Sequence, residues 1–504
     1  MMILFLPILS AIFLTLAFPK PGIAIFAWFA LVPWLFALKR QKNPRSAFLL
    51  SYLVGLVFFS LTLYWINYVS TLGFVVLMCY LAFYFAAFGI FIFAFKRFRL
   101  LNLVFIPAAW VVLEFVRGHL PILGFNWALL AYSQYLVLPI IQISDITGAY
   151  GVSFLIVLVN VGIYQTVSLV LENKGQRTEK RFARSIFVLC AFLPVLFSLA
   201  YGYFKLFHPI EGQSVKVAVI QGNIPQVQKW DPRFRESILA KYRRLTKEAA
   251  FNKPDIIIWP ETSVPGFLES EPELLEEISS LSKSIAPSYL LLGTPHEAEG
   301  SKIHNSATLL SSGEILQRYD KLRLVPFGEF IPWPEFFSRF SFAGLIGNFS
   351  RGDEYTIFGV VPGVRCNALI CFEDVFSDLV RIFVSRGANL AVNMTNDAWF
   401  GSSAEPYQHL QSSIFRAVEN RVSVVRSANT GVSCFIDPRG RILKRVDDYL
   451  GRDIVTEGWA SEDLKIGSMP SFYTKHGDIF VYFCIAITLL ATTTALSTGF
   501  RKYM

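Results

Sequence analysis

Three short segments place residues capable of acyl-transfer chemistry at the ends of buried-looking strands. The first, Ile256-Ile257-Ile258-Trp259-Pro260-Glu261, delivers a carboxylate just past a proline, and Glu261 could serve there as a general base. The second runs from Tyr319-Asp320-Lys321 to Glu329. Its lysine could stabilise a thiolate, or the oxyanion that forms at an attacked carbonyl, and Glu329 could orient that lysine or cap a turn. The third, Ala368-Leu369-Ile370-Cys371-Phe372-Glu373-Asp374, ends a strand-like run in a thiol and opens a helix. A helix N-terminus and a neighbouring cation both lower a thiol's pKa, and the Phe372 backbone N–H could donate to an oxyanion. Each residue alone also has a plain reading. A loop Glu and a lone Lys are ordinarily solvated, and a lone Cys packs like a small hydrophobe.

Positioning these residues falls to a segment of mixed character, from about Gln213 to Lys475. Strands are expected at Val215–Gln221, Asp255–Trp259, Tyr289–Thr294, Asn305–Leu310, Gly313–Lys321, Val364–Cys371, Leu390–Thr395, Ser423–Asn429, Ser433–Ile436 and Ile442–Val446. Helices are expected at Pro232–Ala250, Glu271–Ile285, Ser377–Arg386 and Tyr407–Asn420. Strands alternating with helices predict an α/β fold, and such folds gather sites at strand ends.

The rest of the chain is a different material. Hydrophobic residues are 54% and charged residues 16% of the 504, which excludes a disordered chain and argues against a wholly soluble one. A span needs about 20 apolar residues. Seven candidates precede residue 210: Ile3–Phe18, Ile23–Leu38, Phe48–Tyr68, Leu72–Phe95, Leu103–Val116, Val152–Leu171 and Ile186–Phe204. An eighth, Ile479–Ser497, follows the α/β segment. The expected organisation is a helical membrane domain over 1–210, an α/β domain over 213–475 and a closing span over 479–497. No basic stretch precedes the first run, and Phe18-Pro19-Lys20-Pro21 is a poor cleavage site, so that run is expected to remain.

Basic residues sort the loops. Lys39, Arg40, Lys42, Arg45, Lys96, Arg97, Arg99, Lys174, Arg177, Lys180, Arg181, Arg184, Arg501 and Lys502 all fall on one side of an eight-span arrangement. Only Glu172 and Glu179 oppose them there. The positive-inside rule makes that side, with both termini, cytoplasmic and places the α/β domain outside. The net charge of +9 therefore reads as topology rather than nucleic-acid binding. Glu114 and Arg117 close the fifth run, where they could pair or face a lipid headgroup.

Glu, Lys and Cys in this order resemble the nitrilase superfamily, through Trp259-Pro260-Glu261, Tyr319-Asp320-Lys321 and Cys371-Phe372-Glu373. The resemblance implies an α-β-β-α sandwich and a Cys acyl intermediate. With the membrane runs added, essentially the whole chain resembles the apolipoprotein N-acyltransferase family. Further strings carry this: Gln221-Gly222-Asn223-Ile224-Pro225-Gln226, Lys229-Trp230-Asp231, Leu324 to Glu329, Asn396-Asp397-Ala398-Trp399-Phe400-Gly401, Tyr132-Ser133-Gln134 and Tyr150-Gly151-Val152-Ser153. Phe372 and Asn126 depart from it, standing where Tyr and Pro would be expected.

The resemblance implies a bacterial inner-membrane enzyme with its catalytic domain in the periplasm. Glu261 would be the base, Lys321 the oxyanion and thiolate stabiliser and Cys371 the nucleophile, with Glu329, Phe372 and Glu373 supporting. The acyl donor would be a phospholipid such as phosphatidylethanolamine, and the acceptor an S-diacylglyceryl-cysteine lipoprotein. Neither cofactor nor metal is implied, and a monomer is expected. Trp230, Trp399 and Phe400, with the Trp333 to Phe337 stretch, could lie on lipid or simply fill a core.

Two other readings compete. A membrane-tethered amidase or nitrilase on a small amide would use the same three residues, yet one span would suffice as its tether. A transporter or receptor would carry charges near the middle of its spans, which are nearly free of them here. Cys79, Cys190 and Cys484 fall in apolar runs. Cys366 and Cys434 could pair in an oxidising compartment, whereas a bridge at Cys371 would destroy the nucleophile. The Cys and His spacing matches no metal site, and His304 and His409 read as structural or surface residues.

Overall fold

The computed structural model describes residues 2–96, 98–172, 179–298, 300, 302–333, 335, 348–467 and 470–500. Arg97, Lys174, Arg177, Phe336, Phe337, Arg501 and Lys502, named above, lie outside the described residues. The chain divides into two compact units, Met1–His208 with His476–Met504, and Pro209–Lys475.

The first unit is helical. Four helices among the described residues are long and apolar enough to cross a membrane: Pro44–Thr62, Thr71–Phe95, Ala149–Leu171 and Ser185–Phe207. Asn43 caps the first of these through Ser46 N (2.8 Å), and Ser70 caps the second through Gly73 N (3.0 Å).

By length and composition four of the about eight expected spans are found among the described residues, and the other four are shorter, interrupted or less apolar. Leu4–Leu16 and Ile479–Thr494 are shorter apolar stretches. The second run breaks into a 3-10 turn, Ala24–Trp28, and an eight-residue helix, Val32–Lys39. The helix Asn102–His119 carries Glu114, Arg117 and His119 toward its C-terminal end.

Buried polar side chains satisfy the backbone at these breaks, as an apolar medium requires. Asn160 accepts from Leu31 N (2.8 Å) and donates to Ala27 O (2.9 Å). Glu114 accepts from Leu130 N (2.7 Å), and Arg117 donates to Trp127 O (2.9 Å). Glu114 and Arg117 are both buried, where they clamp the 127–130 backbone.

The second unit holds two six-stranded sheets. The first has the order β12-β1-β2-β3-β4-β5, from β1 (Gln213–Gln221), β2 (Ile256–Ile258), β3 (Tyr289–Ala298), β4 (Lys302–Ser311), β5 (Glu314–Asp320) and β12 (Gly458–Ile466). The second has the order β11-β10-β9-β8-β7-β6, from β6 (Phe358–Gly359), β7 (Arg365–Ile370), β8 (Leu390–Thr395), β9 (Ser423–Ala428), β10 (Cys434–Ile436) and β11 (Ile442–Arg445).

In each sheet the three strands that lead into the site region or flank it run parallel: β1, β2 and β3, and β7, β8 and β9. Each contains an apolar run, such as residues 217–220, 256–258, 290–292 and 368–370, because both faces are covered there. The helices Arg235–Ala250 and Pro272–Ser284 cover the first sheet through Leu239, Tyr242, Leu274 and Ile278. The helices Ser377–Ser385 and Glu405–Asn420 belong to the second. The sheets meet face to face, where Ser427 Oγ donates toward both Ile220 O (3.2 Å) and Ile258 O (3.1 Å).

Two sequence expectations change here. β12 had no expected counterpart, although it pairs antiparallel with β1 over the full length from Gln213–Ile466 to Gln221–Gly458. It carries Glu462, Asp463 and Lys465, the charge that edge strands use against further pairing. Cys371 opens a five-residue 3-10 turn, Cys371–Val375, and the α-helix begins only at Ser377.

Candidate active site

Glu261 owes its place to Trp259. That indole is fully buried, stacks on Tyr242 (4.7 Å) and donates to Thr246 Oγ1 (2.8 Å), which anchors the end of β2 under the 235–250 helix. The chain then turns over Gly293 of β3, where an added Cβ would sit 2.4 Å from Pro260 O, so the close approach needs glycine. The Glu261 carboxylate accepts from Asn305 Nδ2 at Oε1 (2.8 Å) and from the Asn396 backbone N–H at Oε2 (3.0 Å). Lys229, itself buried, donates to the Glu261 carbonyl (2.9 Å).

Lys321 follows β5 and is fully buried. Its ammonium contacts Glu329 Oε1 at 2.8 Å, stands 3.7 Å from Glu261 Oε1 and lies 5.4 Å from the centre of the Phe372 ring. Burial opposes this charge, but Glu329 and Glu261 outweigh the burial and hold the Lys321 pKa above its ordinary value. Glu329 accepts from Lys321 Nζ (2.8 Å) and from Val325 N (2.8 Å) across its own turn.

Cys371 follows β7 in the left-handed region, φ +55°, a strained conformation for a residue with a Cβ. Its carbonyl accepts from Asn393 Nδ2 (2.8 Å). The expected lowering of its pKa is corrected. Burial raises the thiol well above its ordinary value, the Glu261 charge raises it further, and Lys321 offsets only part. A short 3-10 turn also offers little of the macrodipole that a full helix would. The resting thiol therefore keeps its proton and needs a base.

Glu373 ties the Cys371 turn to the Lys321 loop. Its carboxylate accepts from Ile370 N (2.8 Å) beside the cysteine, and from Leu322 N (2.8 Å), Arg323 N (2.9 Å) and Tyr319 Oη (2.9 Å) beside the lysine. Burial pushes this carboxyl up to about 7 against the pull of Lys321 and the backbone donors. Phe372 packs edge-on against Phe376 (5.2 Å).

Trp230 and Trp399 are about half exposed, and Phe400 is half-buried, in the loops after β1 and β8. Those loops are joined by Asn396 Nδ2 donating to Gln226 Oε1 (2.8 Å). Trp333 is also about half exposed.

Three site residues escaped the sequence reading. Asn305 on β4 bridges Glu261 and Glu329 (2.8 and 3.0 Å), Asn393 on β8 holds the Cys371 carbonyl, and Lys229 holds the Glu261 carbonyl. For Asn393 the signal was an amide inside an otherwise apolar strand; Asn305 lies in a strand of mixed polarity and gave no such signal. Cys366 and Cys434 are free and fully buried. They sit on β7 and β10, three strand spacings or about 14 Å apart, beyond the reach of a disulfide. His409 is buried rather than at the surface.

Comparisons with known proteins follow this division of the chain. Residues 10–162 match the model of the apolipoprotein N-acyltransferase N-terminal domain, and residues 216–456 match that of carbon-nitrogen hydrolase. An apolipoprotein N-acyltransferase of Geobacter metallireducens is 40% identical over 95% of this chain and 92% of its own. Another, of Allorhizobium ampelinum, is 32% identical over 77% of this chain and 71% of its own. Among solved structures, an amidase from Nesterenkonia sp. overlaps 54% of this chain and 97% of its own at TM-score 0.39 and 20% identity. With identity at that level running through both the membrane unit and the α/β unit, the chain belongs to the apolipoprotein N-acyltransferase family.

Proposed function

We propose that the chain transfers the sn-1 acyl group of a phospholipid, phosphatidylethanolamine foremost, to the N-terminal amine of S-diacylglyceryl-cysteine lipoproteins, through a thioester on Cys371. The observation that carries this reading is the half-buried Cys371 on a strained turn, with the charges of Glu261 and Lys321 acting on its thiol.

Glu261 takes the thiol proton as sulfur attacks the ester carbonyl. Lys321 and the Phe372 N–H receive the oxyanion. Collapse breaks the ester C–O bond, and Glu261 returns its proton to the departing lyso-lipid. The lipoprotein amine then attacks the thioester and yields a proton to Glu261. The thiolate leaves and recovers that proton. Each bond formed is matched by one broken, so no cofactor or metal is required.

The same reading assigns the remaining apolar helices to the bilayer alongside the four long ones. It makes the chain a multi-pass inner-membrane protein with the α/β unit periplasmic and both termini cytoplasmic, acting as a monomer. The basic loops support this orientation. The exposed indoles of Trp230 and Trp399 suit contact with acyl chains.

The test is peptide mass spectrometry on purified protein incubated with phosphatidylethanolamine and no acceptor. The expected result is a fatty-acyl mass on the Cys371 peptide, removable by hydroxylamine and matched by lyso-lipid. An unmodified Cys371 in folded, reduced protein, together with turnover of small amides, would replace this reading with a tethered amidase.

A further inference from the structure

Behind the Cys371 turn lies a cluster of ionisable groups that the reaction above leaves unused. Asp374, within that turn, is fully buried. His409 Nε2 donates to its Oδ1 (2.9 Å), Arg426 Nη1 donates to its Oδ2 (3.0 Å), and Ser413 Oγ donates to it as well. On the other edge of the imidazole, His409 Nδ1 stands 3.3 Å from Asp397 Oδ1 and 3.6 Å from Glu405 Oε1. Thr395 Oγ1 donates to Asp397 (2.8 Å), and Arg426 Nη2 lies 3.8 Å from it.

Both ring nitrogens face carboxylates, and only the imidazolium can donate from both. Burial opposes that charge, but Asp374 and Asp397 overcome it and raise His409 to about 10. Glu405 is raised well above the ordinary carboxyl value, by burial first and by Asp397 next, which disfavours a third anion here. The carboxylates of Asp374 and Asp397 then face the two cations His409 and Arg426. Asp397, Glu405 and His409 do bring ligand atoms within 4.8 Å of one another. With the imidazole charged and Arg426 alongside, that set is an ion-pair network rather than a cation site.

The two ends of the network touch both halves of the reacting couple. Asp374 belongs to the nucleophile's turn. Asp397 directly follows Asn396, whose N–H holds Glu261 Oε2 and whose side chain is fixed by Asn429 Nδ2 (2.9 Å). We propose that His409 is a positioning residue, fixing the Cys371 turn relative to the Asn396 N–H and thereby aligning thiol and Glu261 carboxylate for proton transfer. The proposal rests on the Cys371–Glu261 couple set out above, but not on the identity of the acyl donor.

The experiment uses the full chain with His409→Gln, and with His409→Gln combined with Asp397→Asn. The double variant removes one cation and one anion, so it leaves the net charge of the cluster unchanged should the single variant fail to fold. The readout is the nitrophenolate burst as p-nitrophenyl butyrate acylates Cys371, run beside thermal melting and phosphatidylethanolamine acylation.

The expected result is a folded double variant whose burst rate constant drops on the order of 100-fold, while the half-saturating ester concentration moves less than about threefold. The same changes made on a Glu261→Gln background bring no further drop, because the aligned base is already gone. A burst within about threefold of the parent in folded protein, or an undiminished further drop on Glu261→Gln, overturns the proposal. A slowed burst in the variant alongside a parent that takes no acyl group from phosphatidylethanolamine upholds the positioning role and removes the phospholipid reading alone.

Discussion

Lys321 Nζ stands 3.7 Å from Glu261 Oε1, outside hydrogen-bond reach, although both residues are buried. The ammonium spends its direct contact on Glu329 at 2.8 Å. Glu261, in only a long ion pair with Lys321, takes its hydrogen bonds from two neutral donors, Asn305 and the Asn396 N–H. A carboxylate held this way can still accept a proton, as a base must.

Glu261→Gln is therefore expected to slow single-turnover acylation of Cys371 by about 10²- to 10⁴-fold, the range for loss of a general base. Asn305→Leu should slow it less, because the Asn396 N–H still holds one carboxylate oxygen. Rapid-quench mass spectrometry of the Cys371 peptide measures both, and an Asn305→Leu loss equal to that of Glu261→Gln would contradict this division of labour.

Replacing Glu373 by alanine strands three backbone donors and the Tyr319 hydroxyl in the core. The expected cost is several kcal/mol, since each buried orphan costs about 1–3 kcal/mol. Glu373→Gln keeps one acceptor oxygen and should cost less. Melting of the two variants gives the order, and a Glu373→Ala protein as stable as its parent would refute the tie between the two loops.

Stability should decline as pH rises above the mildly acidic range. Burial raises Glu373 to about 7. Its contribution is full below the ordinary carboxyl value and lost as pH climbs through 7. Asp374 and Asp397 raise His409 to about 10 against burial, so its contribution is full below 6.5 and lost as pH climbs through 10. Melting temperature across this range is expected to fall in two stages, with Glu373→Gln removing the first and His409→Gln flattening the second.

Asn160→Leu in the helical unit removes partners from Leu31 N and Ala27 O at a break between helices. The expected loss is about 1–3 kcal/mol, because an apolar surrounding offers no replacement. Thermal unfolding in detergent reads it directly, and Asn160→Asp, which keeps an acceptor for Leu31 N, should lose less.

What sequence revealed of the site depended on where polar residues interrupt apolar runs. Glu261 and Cys371 each follow such a run, whereas Lys321 follows a strand of mixed polarity and stood out by its place at the strand end. Asn305 and Asn393 lie inside strands, where an amide reads only as an irregularity until tertiary structure supplies the carboxylate or carbonyl it serves. His409 belongs to one helix face, and its partners Asp374 and Asp397 come from two other segments. β12 alternates polar and apolar residues over too little apolar surface to stand out, and its partner β1 is remote in sequence. The second apolar run hid its break because nothing in its composition marks the 3-10 turn at Ala24–Trp28.

The pairing of β1 with β12 also sets a timetable for biogenesis. Gln213 cannot meet Ile466 until nearly the whole α/β unit has been synthesised. Through that interval β1 offers an open hydrogen-bonding edge, a hazard for self-association that only the last strand removes. A chain cut short before Gly458 would keep all the residues proposed for chemistry yet never shield that edge, so it should accumulate as aggregate or be degraded rather than persist as a weakened enzyme.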